Sequence, residues 1–88
     1  MKITFAYFAQ IRQQAGVESE TVSAADGTTV LGALKTLDHG TCFRDLLFDG
    51  AGALRPMILL VIHGVPAAPE RVLQDGECVQ LFSPLSGG

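Results

Sequence analysis

The sequence predicts an α+β domain: a mixed sheet packed on one main helix, with its helical cover on one face. Three observations carry this. The chain opens on a two-residue alternation, with Ile3, Phe5 and Tyr7 on one side and Thr4, Ala6 and Phe8 on the other, which is the period of a strand. A helix-spaced stripe of Val30, Leu31, Leu34 and Leu37 follows the turn signal Asp26-Gly27, as an amphipathic helix requires. Strand character returns in Met57–Ile62 and Glu77–Phe82, and strands on both sides of a packed helix are the α+β order.

Element by element, the first strand is expected from Lys2 to Ala9, and a polar stretch from Gln10 closes at Gly16. Val17 to Ser23, rich in Val, Thr, Ser and Glu, fits a partly exposed second strand. Thr28 or Thr29 can cap the helix, and Gly40 stops it. Cys42 to Phe48 carries Phe43, Leu46 and Leu47, a turn of helix too short to stand alone and so pressed on the core. Asp49 to Arg55 reads as loop. The unbroken apolar run from Met57 to Ile62 fits a strand covered on both faces or placed centrally, and His63-Gly64 ends it. Pro66 and Pro69 leave Val65 to Arg71 little regular structure. Asp75-Gly76 then turns the chain into the last strand.

In that last strand Val79 and Leu81 share the core-facing side, while Cys78, Gln80 and Phe82 share the other. Phe8 and Phe82 therefore both point away from the helix-covered face. Such a pair is either an ordinary capped sheet edge or an aromatic contact patch.

Composition narrows the function. Eighty-eight residues make one domain, and 48% apolar against 17% charged residues is enough to bury a core. A unit of this size has little room for an enclosed active-site cavity, so its chemistry is expected to involve a partner. The net charge of −3 and the scattered Lys2, Arg12, Lys35, Arg44, Arg55 and Arg71 disfavour a nucleic-acid partner. No apolar run approaches the roughly 18 residues of a membrane span. Lys2 precedes only a short apolar stretch with no small-residue cleavage site, so no membrane association and a cytoplasmic location are expected.

Cys42 and Cys78 form no C-x-x-C pair, and His39 and His63 are too few to complete a metal site with them. A single disulfide or two reduced packing thiols fit the spacing; without a secretory signal the reduced form is expected. His39 is expected in the last turn of the main helix, where the dipole favours a cation, and His63 at a strand end, both structural. The acidic pairs Glu18/Glu20 and Asp45/Asp49 lack a companion nucleophile and read as solvated surface. No phosphate loop, nucleophile elbow or H-E-x-x-H motif is present, and Gly50-Ala51-Gly52 reads as a flexible turn.

The C-terminus carries the chemistry instead. A terminal Gly-Gly has no Cβ to obstruct passage through a narrow channel. The six residues Ser83 to Gly88, fully extended, reach about 20 Å, enough to enter a partner's buried site. Pro84 stiffens the root of this arm and Leu85 offers an apolar anchor. The domain is thus expected over residues 1–82, with 83–88 as a flexible tail. A carboxylate is a poor electrophile, so Gly88 must be activated by another protein, most simply as an acyl-adenylate.

Four stretches now form a pattern: Phe8-Ala9-Gln10-Ile11-Arg12 with Gly16; Thr29-Val30 with Ala33-Leu34; Asp75-Gly76-Glu77 with Val79; and Phe82-Ser83-Pro84-Leu85-Ser86-Gly87-Gly88. Together they resemble the molybdopterin synthase small-subunit family, and the wider ubiquitin-like sulfur-carrier family that includes the thiazole-pathway carrier. The resemblance implies a β-grasp fold and a Gly88 that is adenylated by an E1-like adenylyltransferase at the expense of ATP. The adenylate is then converted to a thiocarboxylate with sulfur from a donor such as a cysteine desulfurase or a rhodanese-type protein. It implies no bound cofactor or metal. It further implies that the tail, Pro84, Leu85, Ser86, Gly87 and Gly88, inserts into the large catalytic subunit of a heterotetrameric synthase and supplies dithiolene sulfur to cyclic pyranopterin monophosphate. The chain would then be a non-catalytic subunit of that enzyme. Phe8 and Phe82 match the family's aromatic partner contacts; Arg12 matches a family position whose role is left open. Ser83 stands where the family often has a second proline, and His63-Gly64 replaces a common Asn-Gly turn. The long segment from Phe43 to Arg55 favours the molybdopterin branch or a carrier for cysteine synthesis over the thiazole carrier, and a ubiquitin-like protein modifier is the other alternative.

Overall fold

A computed structural model describes residues 1–83. Their elements run β1 (Lys2–Tyr7), α1 (Ala9–Ala15), β2 (Ser19–Ser23), α2 (Val30–Leu34), α3 (Thr41–Leu47), β3 (Leu59–Ile62), β4 (Val65–Pro66) and β5 (Cys78–Phe82). The strands form one five-stranded sheet in the order β2-β1-β5-β3-β4. β1 and β5 run parallel at its centre, and every other pairing is antiparallel. This is the α+β plan with a mixed sheet, and it is a ubiquitin-like β-grasp.

The central alternation is realised as expected. Ile3, Phe5 and Tyr7 from β1, with Val79 and Leu81 from β5, are fully buried beneath the helices. Leu60 and Ile62 continue the same face through β3, and Val30, Leu34, Phe43 and Leu47 pack down on it from α2 and α3. Burying a side chain of this size contributes about 1.5–3 kcal/mol, so this two-layer contact is the main stabilising term.

Several elements depart from their expected extents. The stretch after Phe8 is not irregular: it is helix α1, which buries only Ile11 and Ala15. Two apolar positions four apart give too faint a stripe to stand out from the glutamines around them. Gly16 ends it in the left-handed region at φ 80°, its N–H donating to the Arg12 carbonyl, the usual glycine C-cap. Strand β2 begins at Ser19, two residues after Val17, which is exposed.

The main helix is capped at Thr29, whose hydroxyl accepts the Gly32 N–H at 3.1 Å, but it runs only to Leu34. Leu37 is still buried, carried there by the turns that follow, so the apolar stripe outlasts the helix. Gly40 is the N-cap of α3, at φ 90°, and the helical layer is divided among three short helices. The Met57–Ile62 run is a strand only from Leu59, and it is covered on one face: Leu59 is 45% exposed and Met57 is exposed beside it. Val65 and Pro66, expected to be irregular, pair with Ile62 and Val61 across a tight turn. His63 at φ 54° and Gly64 at φ 76° supply the two left-handed residues that a type I′ hairpin turn needs. Both thiols are exposed and unpaired with each other, so the cysteines, expected as packing residues, do not serve the core.

Candidate functional site

The open face of the sheet converges on the end of β5. Because Tyr7 lies beside Leu81 in the parallel β1–β5 ladder, the next residues, Phe8 and Phe82, come together on the uncovered side. Their rings stack with centroids 4.5 Å apart and planes 9° from parallel. Phe8 is the extended N-cap residue of α1, at φ −132° and ψ 151°, so the strand alternation continues one residue past the strand and aims its ring outward. Leu59 lies opposite Phe82 on β3 and extends the apolar surface. Each ring shields the other, which leaves both half-buried rather than fully exposed.

A cation borders this surface. The Arg12 guanidinium carbon lies 5.9 Å from the Phe8 ring centroid, and its Nε donates to the Tyr7 carbonyl at 3.3 Å. The geometry is that of a cation–π contact. Helix α1, which the sequence pattern did not reveal, is what brings Arg12 back over Phe8. Ala9, between them, sits at φ 52°, a left-handed conformation disfavoured for any residue with a Cβ.

Immediately beyond Phe82, Ser83 is 6% exposed and its hydroxyl has no hydrogen-bond partner among the described residues. Ser83 is the residue at which the sequence reading begins the tail. Pro84, Leu85, Ser86, Gly87 and Gly88, the residues expected to deliver the activated terminus, lie outside the described residues.

The other end of β5 is anchored by Glu77, which no pattern singles out beyond its place after Asp75-Gly76. It is 5% exposed. Arg71 donates to both of its carboxylate oxygens at 2.8 Å, the Gln74 N–H donates at 2.7 Å, and the His63 ring contacts it at 3.1 Å. The Arg71 pair above all, then the Gln74 N–H, outweighs burial and holds the carboxyl down at about 2. Asp75 adds a bond from the Lys2 N–H at 2.7 Å. Strand β5 is therefore fixed at its start by the pairing of a buried carboxylate with a partly exposed guanidinium and ends at the aromatic stack.

A second polar cluster lies inside the helical face. Tyr7, fully buried, donates its hydroxyl to Glu20, and His39 bonds the same carboxylate oxygen. Burial, and next the bond to Glu20, pushes the Tyr7 phenol well above its usual range. The His39 ring stands edge-on to both Tyr7 and Phe43. Glu20 is thus a half-buried bridge from β2 to the loop before α3, not solvated surface, and His39 lies beyond the helix it was expected to end. Sequence proximity could not show this, because the partners are 13 and 19 residues apart. Among the described residues no group of His, Cys, Asp or Glu could hold a metal ion, and no helix is long and apolar enough to cross a membrane.

The comparisons with known proteins agree with this geometry. Residues 5–88 match the model of the ThiS family. SAMP1, a small archaeal modifier protein of Haloferax volcanii, superposes with a TM-score of 0.89 at 27% identity over 100% of both chains. A Pyrococcus furiosus protein assigned as molybdopterin converting factor subunit 1 gives 0.76 at 25% identity, covering 96% of this chain and 98% of its own. A chain of the Helicobacter pylori complex of molybdopterin-converting factor subunits 1 and 2 gives 0.65 at 16% identity over 100% of both chains, a likeness of fold. No curated protein matches the sequence significantly.

Proposed function

Since the chain belongs to the ThiS family of ubiquitin-like sulfur carriers, we propose that it is the sulfur carrier subunit of a molybdopterin synthase, acting in the cytoplasm. The Gly88 carboxylate attacks ATP at an E1-like adenylyltransferase, releasing pyrophosphate and leaving an acyl-adenylate. The terminal sulfur of a persulfide on a cysteine desulfurase or rhodanese-type donor attacks the carbonyl and displaces AMP, and a thiol reductant then cleaves the resulting acyl disulfide, leaving the thiocarboxylate and a disulfide. That sulfur passes to cyclic pyranopterin monophosphate within the large catalytic subunit, building the dithiolene.

The observation that carries this reading is the position of the Phe8–Phe82 stack. It is an apolar surface on the open face of the sheet, one residue before Ser83 and directly upstream of the Pro84-to-Gly88 tail. A partner that covers the stack gains a desolvated aromatic anchor while the Gly-Gly end reaches onward into its interior. Arg12 at the rim supplies a cation for a carboxylate on that partner and orients the approach. The likeness to molybdopterin converting factor subunit 1, and the two-subunit complex of its Helicobacter pylori counterpart, support a large catalytic partner.

Deleting Gly88, or replacing Gly87 with a bulky residue, tests the proposal. Either variant should retain the fold by circular dichroism and lose thiocarboxylate formation in the presence of ATP, the adenylyltransferase and a sulfur donor. Thiocarboxylate formation that survives the deletion would refute it. A second reading, a ubiquitin-like protein modifier whose activated Gly88 ends on a lysine of another protein, is favoured by the likeness to SAMP1; lysine-linked adducts on other proteins in lysate would select it.

A further inference from the structure

The chain contains two lysines, Lys2 and Lys35, and the structure treats them differently. The Lys2 ammonium donates to the Ser23 hydroxyl at 2.8 Å, on the strand pair β1–β2. Lys35, just past α2, makes no ion pair among the described residues. It lines a cavity of about 380 Å³ together with Arg44, Asp45, Phe48, Asp49, Gly50 and Gly52. The ammonium stands 3.5 Å from where a Cβ on Gly52 would lie, so the wall of the cavity beside it is bare backbone. That wall has a fixed shape: the Asp49 carboxylate accepts the N–H groups of Ala51 and Ala53 at 2.9 and 3.1 Å. Gly52 itself sits at φ 83°, where a side chain would be strained.

An amine with no competing partner, in an open cavity walled by glycine, is placed to meet a second side-chain-free segment. We infer that Lys35 is a conjugation site for this chain's own activated terminus, accepting the Gly88 acyl group of a second copy in an isopeptide bond. The inference rests on the reading of Gly88 as an adenylated terminus. The unprotonated Lys35 amine attacks the acyl-adenylate carbonyl, a C–N bond forms as the C–O bond to phosphate breaks, and AMP leaves. The surplus proton goes to water or to the Asp45 carboxylate in the same cavity, and Arg44 offers a positive charge to the departing phosphate. No oxidant or reductant is consumed, and ATP at the adenylyltransferase supplies the driving force. The cavity belongs to the helical layer, whereas the Phe8–Phe82 stack lies on the open face of the sheet. One copy can therefore present Lys35 while its own sheet face is covered, and head-to-tail linkage need not compete with the docking surface.

The test is incubation of the full chain with ATP and an E1-like adenylyltransferase, without a sulfur donor. Pyrophosphate release reports adenylation, and intact mass and tryptic mapping report linkage. Because trypsin cuts after Arg71, the expected product is a branched peptide carrying residues 72–88 on Lys35. Lys35→Arg should lose at least tenfold of the linked dimer while Lys2→Arg retains it, with both variants adenylated like the parent. Adenylation with the branch on Lys2, a dimer that persists in Lys35→Arg, or adenylation without any linked dimer would each overturn the inference and leave the carrier reading intact. Absence of pyrophosphate release, with an enzyme active on its own carrier, would instead overturn the carrier reading and the inference with it.

Discussion

Replacing Glu77 with glutamine keeps the size of the side chain and its bond from the Gln74 N–H, but removes the charge that Arg71 grips with two 2.8 Å bonds. An ordinary glutamate titrates near 4.5, whereas Glu77 is held at about 2. A depression of that size corresponds to about 3 kcal/mol of folding free energy. Arg71 is 35% exposed, so solvent screening lowers the expected loss on substitution to about 2 kcal/mol. The sign follows from the lowered value: the ionised folded form is favoured, so the contribution is complete above about pH 4.5 and disappears as pH falls towards 2. Urea denaturation of the parent and Glu77→Gln across this window measures it. The parent should be more stable by about 2 kcal/mol at pH 6, and the two curves should converge near pH 2. A gap that stays constant between pH 6 and pH 2, or no gap at pH 6, would refute the assignment of Glu77 as a charge-dependent anchor of β5.

Phe82→Ala removes the stack on Phe8 and should cost about 1–2 kcal/mol in stability. It should also weaken binding to the proposed large-subunit partner at least tenfold by calorimetry, whereas a surface substitution such as Gln13→Ala should leave binding unchanged. Ser83→Ala deletes a buried hydroxyl without a partner among the described residues, so its unfolding free energy in urea should match the parent's or exceed it by up to about 1 kcal/mol; a loss of more than about 1 kcal/mol would show that the hydroxyl is bonded. Ala9→Gly relieves a left-handed backbone at φ 52° and should stabilise by about 0.5–1 kcal/mol in denaturant titrations.

The parts of this fold that were legible in the sequence are those where one periodicity governs a whole element. Ile3, Phe5 and Tyr7 announced β1, Val79 and Leu81 announced the core side of β5, and extending the two alternations by one residue placed Phe8 and Phe82 on a common face, where they stack. The parts that were not legible depend on contacts across the chain. Helix α1 buries two residues only, so tertiary packing rather than pattern decides it. The Leu37 side chain is buried without being helical, which made the main helix read too long. The run ending at Ile62 looked covered on both faces because Leu59 is apolar, yet Leu59 faces the open side beside Phe82. Glu20, His39 and Tyr7 are remote in sequence and meet only when β2 and the loop before α3 close over β1. For the same reason Glu77 gave no signal: its partners Arg71, Gln74 and His63 gather around it through two turns.

The intact mass of the full chain after incubation with ATP, an E1-like adenylyltransferase and a sulfur donor bears most directly on the proposed chemistry. Replacement of one oxygen of the Gly88 carboxylate by sulfur, localised by fragmentation to the last residue, is the expected result. An unchanged mass with an enzyme that demonstrably charges its own carrier would contradict the sulfur-carrier assignment for this tail.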